Sequence, residues 1–393
     1  MQAEIPPSAE TLREVFAPVG ESMSLPGYLY TSEDVFRWEV DHFFDRTWAC
    51  VGRTGDSLRP GERTATRSGS EGIVLSRDEA GTLHGFFNVC RHRGHELLQI
   101  GESASGKTIE CPYHGWAYGQ DGRLRGAPGF RGLDRDEFGL SRVRVAEWRG
   151  WGFVNVSGDA PELEDHIGNL DEVVRDYEPE RLTNVVSVDY EIHANWKLIH
   201  DNYQECYHCS NIHPELCAVT PPESGFDYEP TGVWIGGSME LRPHAVTMSL
   251  DGHSDASPFR GLDERKRREV LYFGVLPNLL ISLHPDYLVS YRVTPVAPNR
   301  TSIECRWLFS PEDADREGFD PAFAVDFWDL TNKQDWDAIQ SVQRGMSSRG
   351  HRPGRLSASE STVREFETML ARGYLTGSLQ PKTADAPLVP DGS

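Results

Sequence analysis

Two short loops constrain this chain more than any other feature of it. One reads "CRHRGH" and carries Cys90 and His92; the other reads "CPYHGW" and carries Cys111 and His114. Four ligand side chains of this kind can meet one centre only if both loops are held by a rigid frame. The flanking sequence supplies such a frame. "GIVLSR", a turn at "DEAG" and "LHGFFNV" read as a β-hairpin; "WAYGQDGRLRG" reads as a second, and "WGFVNV" as a further strand. The segment from about Cys50 to Gly158 is therefore expected to be a small all-β unit.

The ligand set suits either zinc in a Cys2His2 site or a [2Fe–2S] cluster with two thiolates on one iron and two imidazoles on the other. Zinc fingers pair Cys with Cys and His with His, often with the histidines on a helix. Here each loop alternates Cys and His, so each offers one ligand to each iron. The pattern C-x-H then C-x-x-H, followed by Gly115 and Trp116, closely resembles that of Rieske centres. It assigns Cys90, His92, Cys111 and His114 to the cluster and leaves His95 as a surface or hydrogen-bonding histidine.

A Rieske unit needs about a hundred residues, and this chain has 393. "NYQECYHCSNIHPE", from Asn202 to Glu215, points to a second centre. On an ideal helix His208 and His213 would lie about 140° apart, so they meet one metal only if the helix ends or distorts between them. Pro214 is a stop signal just beyond. Two histidines and one carboxylate make the facial triad of non-haem Fe(II), which leaves positions open for O2.

The carboxylate is sought on "PAFAVDFWDLTNKQDWDAIQSVQRGM", which reads as one long amphipathic helix offering Asp326, Asp329, Asp335 and Asp337. Its apolar face is traced through Trp328, Asn332, Asp335, Ile339, Val342 and Met346. Asp329 aligns with Lys333, Trp336, Gln340 and Gln343, and Asp337 with Lys333, Gln334, Ser341 and Arg344, both more polar. Asp335 alone points to the core, where an unpaired carboxylate is costly. A metal would be its partner.

Elsewhere the first two dozen residues read as an extended arm. "TSEDVFRWEVDHFFDRTW" reads as a helix capped by Thr31 with Asp34, and residues 379–393 as a disordered tail. The strand-rich blocks "TGVWIGGSMEL", "LLISLHPDYLVSYRVTPV" and "TSIECRWLFS" lie between the two metal motifs and the long helix or around them. The expected domains are 1–47 (arm and helix packing on the catalytic domain), 48–160 (Rieske), 161–378 (catalytic) and the tail. A net charge of -22 argues against nucleic acid. No run suits a bilayer, and the N-terminus lacks the pattern of a secretory signal, so a cytoplasmic protein is expected. The odd count of seven cysteines suits free thiols or metal ligands better than disulfides, and Cys206 and Cys209, although spaced C-x-x-C, are expected to pack inside a helix.

"CRH", "CPYHGWAY", "NWKLIHDNYQECYHCSNIHPE" and "TNKQDW", in this order, resemble the catalytic α subunit of Rieske non-haem iron oxygenases, also called ring-hydroxylating oxygenases, over nearly the whole chain. The resemblance implies an α+β fold: a Rieske β domain joined to a helix-grip (START-like) domain, an antiparallel sheet around a long helix. It implies His208, His213 and Asp335 as iron ligands. It also implies a head-to-tail homotrimer in which Glu205, three before His208, bridges that histidine to His114 of the neighbouring subunit, with Asp201 as the alternative. No Gly-rich dinucleotide fingerprint follows a strand, so NADH or NADPH is expected to act through a separate flavin- and iron–sulfur-containing reductase. "NYQECYHC", "HPELCAVTPPESG" and "SLHPDYL" are most like the branch that oxidises quaternary ammonium compounds, such as glycine betaine and stachydrine demethylases. N-demethylation of a betaine-like substrate is expected, held in an aromatic cage for which Tyr203, Phe226, Tyr228 and Trp234 are conceivable walls. Aromatic or alkyl hydroxylation by the same machinery, and simple electron carriage, are the alternatives.

Overall fold

The computed structural model describes residues 4–55 and 58–381. The chain divides into two compact units, residues 44–163, and residues 1–43 together with 164–393.

The smaller unit is built from ten strands, β1 (Ala49–Arg53), β2 (Glu62–Ser68), β3 (Glu71–Arg77), β4 (Leu83–Phe87), β5 (Ser103–Ser105), β6 (Thr108–Glu110), β7 (Ala117–Gly119), β8 (Leu124–Gly126), β9 (Arg142–Trp148) and β10 (Trp151–Asn155). Seven form one sheet in the order β1-β10-β9-β4-β3-β2-β5, and β6-β7-β8 form a second. The hairpins expected at β3–β4 and β7–β8 are present. Val74, Phe86, Leu97, Ile109, Trp116, Tyr118 and Leu124 pack with Cys90 and Cys111 into one core, so the thiols belong to the hydrophobic interior and hold the loops down.

The larger unit is organised by a seven-stranded antiparallel sheet, β11 (Thr183–Ile192), β12 (Phe226–Asp227), β13 (Trp234–Glu240), β14 (Glu269–Val275), β15 (Leu279–Leu283), β16 (Leu288–Ala297) and β17 (Arg300–Phe309). Its order is β11-β17-β16-β15-β14-β13-β12. The central β15 is buried along its whole length, which explains why its sequence, LLISL, runs apolar instead of alternating. The long helix Ala322–Met346 lies on this sheet. It is fixed by Tyr190 Oη donating to Asp329 at 2.9 Å, Tyr291 Oη to Asn332 Oδ1 at 3.3 Å, and Trp328 Nε1 to Tyr287 Oη at 2.9 Å. The fold is thus α+β, with a helix-grip unit and a Rieske-type β unit.

Several local expectations are corrected. The N-terminal segment is not an extended arm: turns of helix at Ala9–Leu12 and Arg13–Phe16 bury Leu12, Val15 and Phe16, because this segment packs on the last helix, Ser361–Thr376. Ser32, not Thr31, caps the helix Glu33–Glu39, accepting from the Val35 amide at 3.4 Å; the Thr31 hydroxyl donates instead to the Gly27 carbonyl. On the long helix Val342 is 46% exposed, while Trp336 and Gln343 are buried. Of the expected tail, Leu379 is packed at 5% exposure, and residues 382–393 lie outside the described residues.

Candidate active site: two metal-binding constellations and an aromatic cavity

The two ligand loops of the β unit share one hydrogen-bond pattern. The amide of Cys90 donates to the His95 carbonyl at 2.8 Å and that of Gly94 to the Cys90 carbonyl at 3.0 Å; Cys111 donates to Trp116 and Gly115 to Cys111 at the same distances. Gly94 and Gly115 have φ of +74° and +69°, a left-handed turn that any side chain would strain. The repeated turn buries the two thiols and leaves His92 half-buried and His114 exposed. The imidazoles sit with ring centroids 4.7 Å apart, and His92 stacks on Trp116 at 4.9 Å. Slight desolvation, then repulsion from His92, Arg93 and His95, lowers the His114 pKa and favours a neutral, ligating imidazole. Tyr118 Oη lies 3.2 Å from Cys90 Sγ. Buried thiols with outward imidazoles fit a cluster with one sulfur-ligated and one imidazole-ligated iron. His95 is exposed, its Nδ1 on the Glu96 carbonyl at 2.5 Å.

The second constellation lies in the larger unit. The helix Trp196–Tyr203 is capped by Asn195, whose side chain accepts from the Lys197 amide at 3.1 Å, and it ends at Gln204. Its close approach to β14 needs Gly274, where an added Cβ would meet Gln204 Nε2 at 2.7 Å. Glu205 and Cys206 are non-helical, so Asp201 lies on this helix while Glu205 and His208 lie beyond its end. His208 then caps a short helix, Cys209–Ile212, and His213 ends it with φ -122° and ψ 68°. Pro214 does not stop that helix. It opens the next, Pro214–Val219, at a position that needs no amide. The break at His213 turns both imidazoles toward one point.

Asp335 reaches that point from the long helix. Its Oδ1 lies 2.9 Å from His213 Nε2 and 3.4 Å from His208 Nε2, and one ligand atom from each residue falls within 4.8 Å of the others. The competing carboxylates are elsewhere: Asp329 binds Tyr190 and Lys333, and Asp326 and Asp337 are exposed. His208 Nδ1 donates to Glu205 Oε1 at 2.5 Å, and the His208 amide to Glu205 Oε2 at 3.0 Å. His213 Nδ1 donates to Gln334 Oε1 at 2.7 Å. Both histidines thereby commit Nδ1 to an acceptor and aim Nε2 at Asp335, so that Nε2 is the atom a metal would bind in place of a proton. Burial would push the His208 pKa down, but Asp335 and Glu205 outweigh it and hold it up at about 9. Burial would likewise raise Asp335, and the two histidines pull it below the usual carboxylate range. The pocket is built to hold positive charge, which fits Fe(II).

Asp201 is not at this site; Tyr30 Oη donates to it at 3.0 Å. Cys206 and Cys209 are not merely packed but joined in a disulfide with Cα atoms 4.9 Å apart, which corrects the expectation of free thiols. Gln334 was missed as a positioning residue; its only sequence signal is adjacency to Asp335.

A cavity of about 570 Å³ opens on His208, His213 and Asp335. Tyr203, Tyr272 and Trp328 form one aromatic corner of it, with Tyr203–Tyr272 and Tyr272–Trp328 centroids 6.1 and 6.4 Å apart and the rings steeply inclined. Of the four conceivable walls, Tyr203 and Phe226 line the cavity; Tyr228 packs on Phe273, and Trp234 is fully buried in the core.

Such a pair of constellations defines a two-centre oxygenase chain. Residues 47–138 match the Rieske [2Fe-2S] domain, and residues 179–375 match the ring hydroxylating alpha subunit (catalytic domain). The glycine betaine monooxygenase oxygenase subunit of Chromohalobacter salexigens is 30% identical, over 89% of this chain and 86% of its own. The carnitine monooxygenase oxygenase subunit of Escherichia coli K12 is 29% identical, over 90% and 94%. A solved quaternary ammonium Rieske monooxygenase, studied for carnitine oxidation by gut microbiota and inter-subunit electron transfer, superposes with a TM-score of 0.76 at 26% identity, over 90% and 95%. The chain belongs to the Rieske ring-hydroxylating oxygenase α subunits, in their quaternary-ammonium monooxygenase branch. It carries a Rieske [2Fe–2S] cluster and a mononuclear iron site. Among the described residues no helix is long and apolar enough to cross a membrane.

Proposed function

We propose that this oxygenase subunit removes a methyl group from a quaternary ammonium compound, with electrons from NADH or NADPH delivered by a flavin- and iron–sulfur-containing reductase. The observation that carries this reading is the aromatic corner of Tyr203, Tyr272 and Trp328 in the same cavity as His208, His213 and Asp335. A tetraalkylammonium has no proton to donate, and aryl faces are the groups that attract it without one. The similarity to glycine betaine and carnitine monooxygenases supports the same class.

Each residue has a part. Cys90, His92, Cys111 and His114 hold the cluster; His208, His213 and Asp335 hold the iron. The iron held there would supply the activation of O2, with electrons from the cluster. Glu205 and Gln334 accept from Nδ1 of the two imidazoles, and Glu205 links His208 to the partner subunit's His114 in a head-to-tail trimer; the inter-subunit electron transfer studied in a relative supports this. The aromatic corner holds the ammonium so that an N-methyl faces the iron. One O2, two electrons and two protons convert that methyl to a hydroxymethyl group and release water. The hydroxymethylammonium then loses formaldehyde and a proton, leaving the tertiary amine. The domains that carry these parts are taken as 48–160 and 161–378, with 1–47 packing on the latter.

A screen with a reconstituted reductase tests this. Formaldehyde should appear with a quaternary ammonium substrate and with none of a set of simple arenes. Oxygenated arene products without formaldehyde would move the protein to ring or alkyl hydroxylation. Tyr272→Leu should raise KM roughly 5- to 30-fold, the worth of a desolvated cation–π contact, with little change in kcat.

A further inference from the structure

The walls of the cavity narrow the substrate class, on the quaternary-ammonium reading above. Four carboxylates face the cavity, Glu205, Glu223, Asp227 and Asp335, and among the described residues no lysine or arginine lines it. Glu205 and Asp335 are engaged with the histidines. Glu223 and Asp227 are exposed at the mouth, either side of Phe226 in sequence. A negative rim raises the local concentration of cations and repels anions.

With no lysine or arginine among the described residues of the lining, a carboxylate on the substrate would depend on neutral donors alone. Ser361 and Thr362, at the start of the helix Ser361–Thr376, are a pair of hydroxyls on one edge of the cavity. Both hydroxyls already donate to Asp227, Thr362 Oγ1 at 3.3 Å. A substrate carboxylate arriving there would meet a fixed like charge instead of free donors, and elsewhere in the lining it would meet single neutral groups such as Asn202, Gln204 and Ser238 beside the charges of Glu205 and Asp335.

We propose that the cavity selects a quaternary ammonium cation that carries no carboxylate, and that Asp227 excludes zwitterions by occupying the Ser361 and Thr362 hydroxyls. This departs from the betaine-type substrate that the flanking sequence blocks resemble. Specificity of this kind comes as much from repulsion of the wrong ligand as from attraction of the right one.

The test uses the metal-loaded full chain with its reductase. Choline and tetramethylammonium represent free cations, glycine betaine and carnitine the zwitterions, and toluene a neutral control. KM and calorimetric Kd for the cations should lie at least about tenfold below those for the zwitterions. Asp227→Ala frees both hydroxyls and removes the opposing charge, so it should lower the zwitterion values and narrow the gap. Tighter binding of the zwitterions by the wild type, or a parallel change of both classes in Asp227→Ala, overturns the selectivity while leaving N-demethylation standing. Turnover of toluene alone overturns the quaternary-ammonium reading itself.

Discussion

Glu39→Ala should destabilise the catalytic unit by about 5 kcal/mol, a large part of the 5–15 kcal/mol that typically holds a domain together. Lys197 and Glu39 are both fully buried, with Nζ and Oε1 2.6 Å apart. Glu39 also accepts from Trp196 Nε1 at 2.8 Å and from the Tyr374 hydroxyl. The ammonium lies over the rings of Tyr30 and Trp196, 5.1 and 5.3 Å from their centroids. Burial lowers the Lys197 pKa, and Glu39 opposes that fall. Removing the carboxylate leaves a buried charge uncompensated, at about 3–5 kcal/mol, and orphans two neutral donors at about 1 kcal/mol or more each. Deprotonation of Lys197 relieves part of the sum. Glu39→Met with Lys197→Met, which removes both charges, should recover most of the loss. Because Lys197 sits in the first turn of the helix that delivers Tyr203, iron retention should fall with stability. Urea unfolding followed by circular dichroism gives the energy, and visible absorption reports the cluster separately. A loss below about 1 kcal/mol in Glu39→Ala would refute the reasoning, since the pair would then not be holding this helix in place.

Three further outcomes follow from the same geometry. Asp335→Ala should lose mononuclear iron and keep the cluster, whereas exposed Asp337→Ala should keep both, as read by metal and sulfide analysis; full iron in Asp335→Ala would mean another carboxylate serves. Glu205→Gln should retain both metals yet slow cluster reoxidation in single-turnover mixing with substrate and O2, and an unchanged rate would show that Glu205 is not the link between centres. Burial pushes Asp201 up to about 7, against help from Tyr30 and Lys197. An unfolded aspartate titrates near 3.9, so this raised pKa gives stability that is full below about pH 4 and lost as pH rises through 7, up to about 4 kcal/mol. Asp201→Asn should therefore gain stability over wild type between about pH 5 and pH 8 in denaturant titrations, and a gap that stays flat with pH contradicts the assignment.

The β unit was legible because its strands are written in β-branched and aromatic residues bounded by glycine turns, and because its ligand loops alternate Cys and His. Asp335 was legible because a carboxylate on an apolar helical face demands a partner. The same face was misread further along. A trace at alternating steps of four and three drifts about 20° per heptad on a straight helix, and after two heptads Val342 has rotated to solvent and Gln343 into the core. Gln343 is held there by the Asn195 amide at 2.8 Å and the Tyr30 carbonyl at 3.2 Å, partners distant in sequence. The helix break after Tyr203 was hidden for a similar reason. Glu205 turns back onto the His208 amide, and no proline or glycine marks the spot. The aromatic corner joins residues from a helix, β14 and the long helix, and only the tertiary fold brings them together.

One labelled turnover tests N-demethylation at this iron site most directly. Choline carrying 13C in its N-methyl groups is mixed with the metal-loaded protein, reductase, NADH and O2. Labelled formaldehyde should equal, mole for mole, the O2 and NADH consumed, and none should form with Asp335→Ala. NADH and O2 consumed without labelled formaldehyde, for choline and for every other quaternary ammonium compound offered, would contradict N-demethylation.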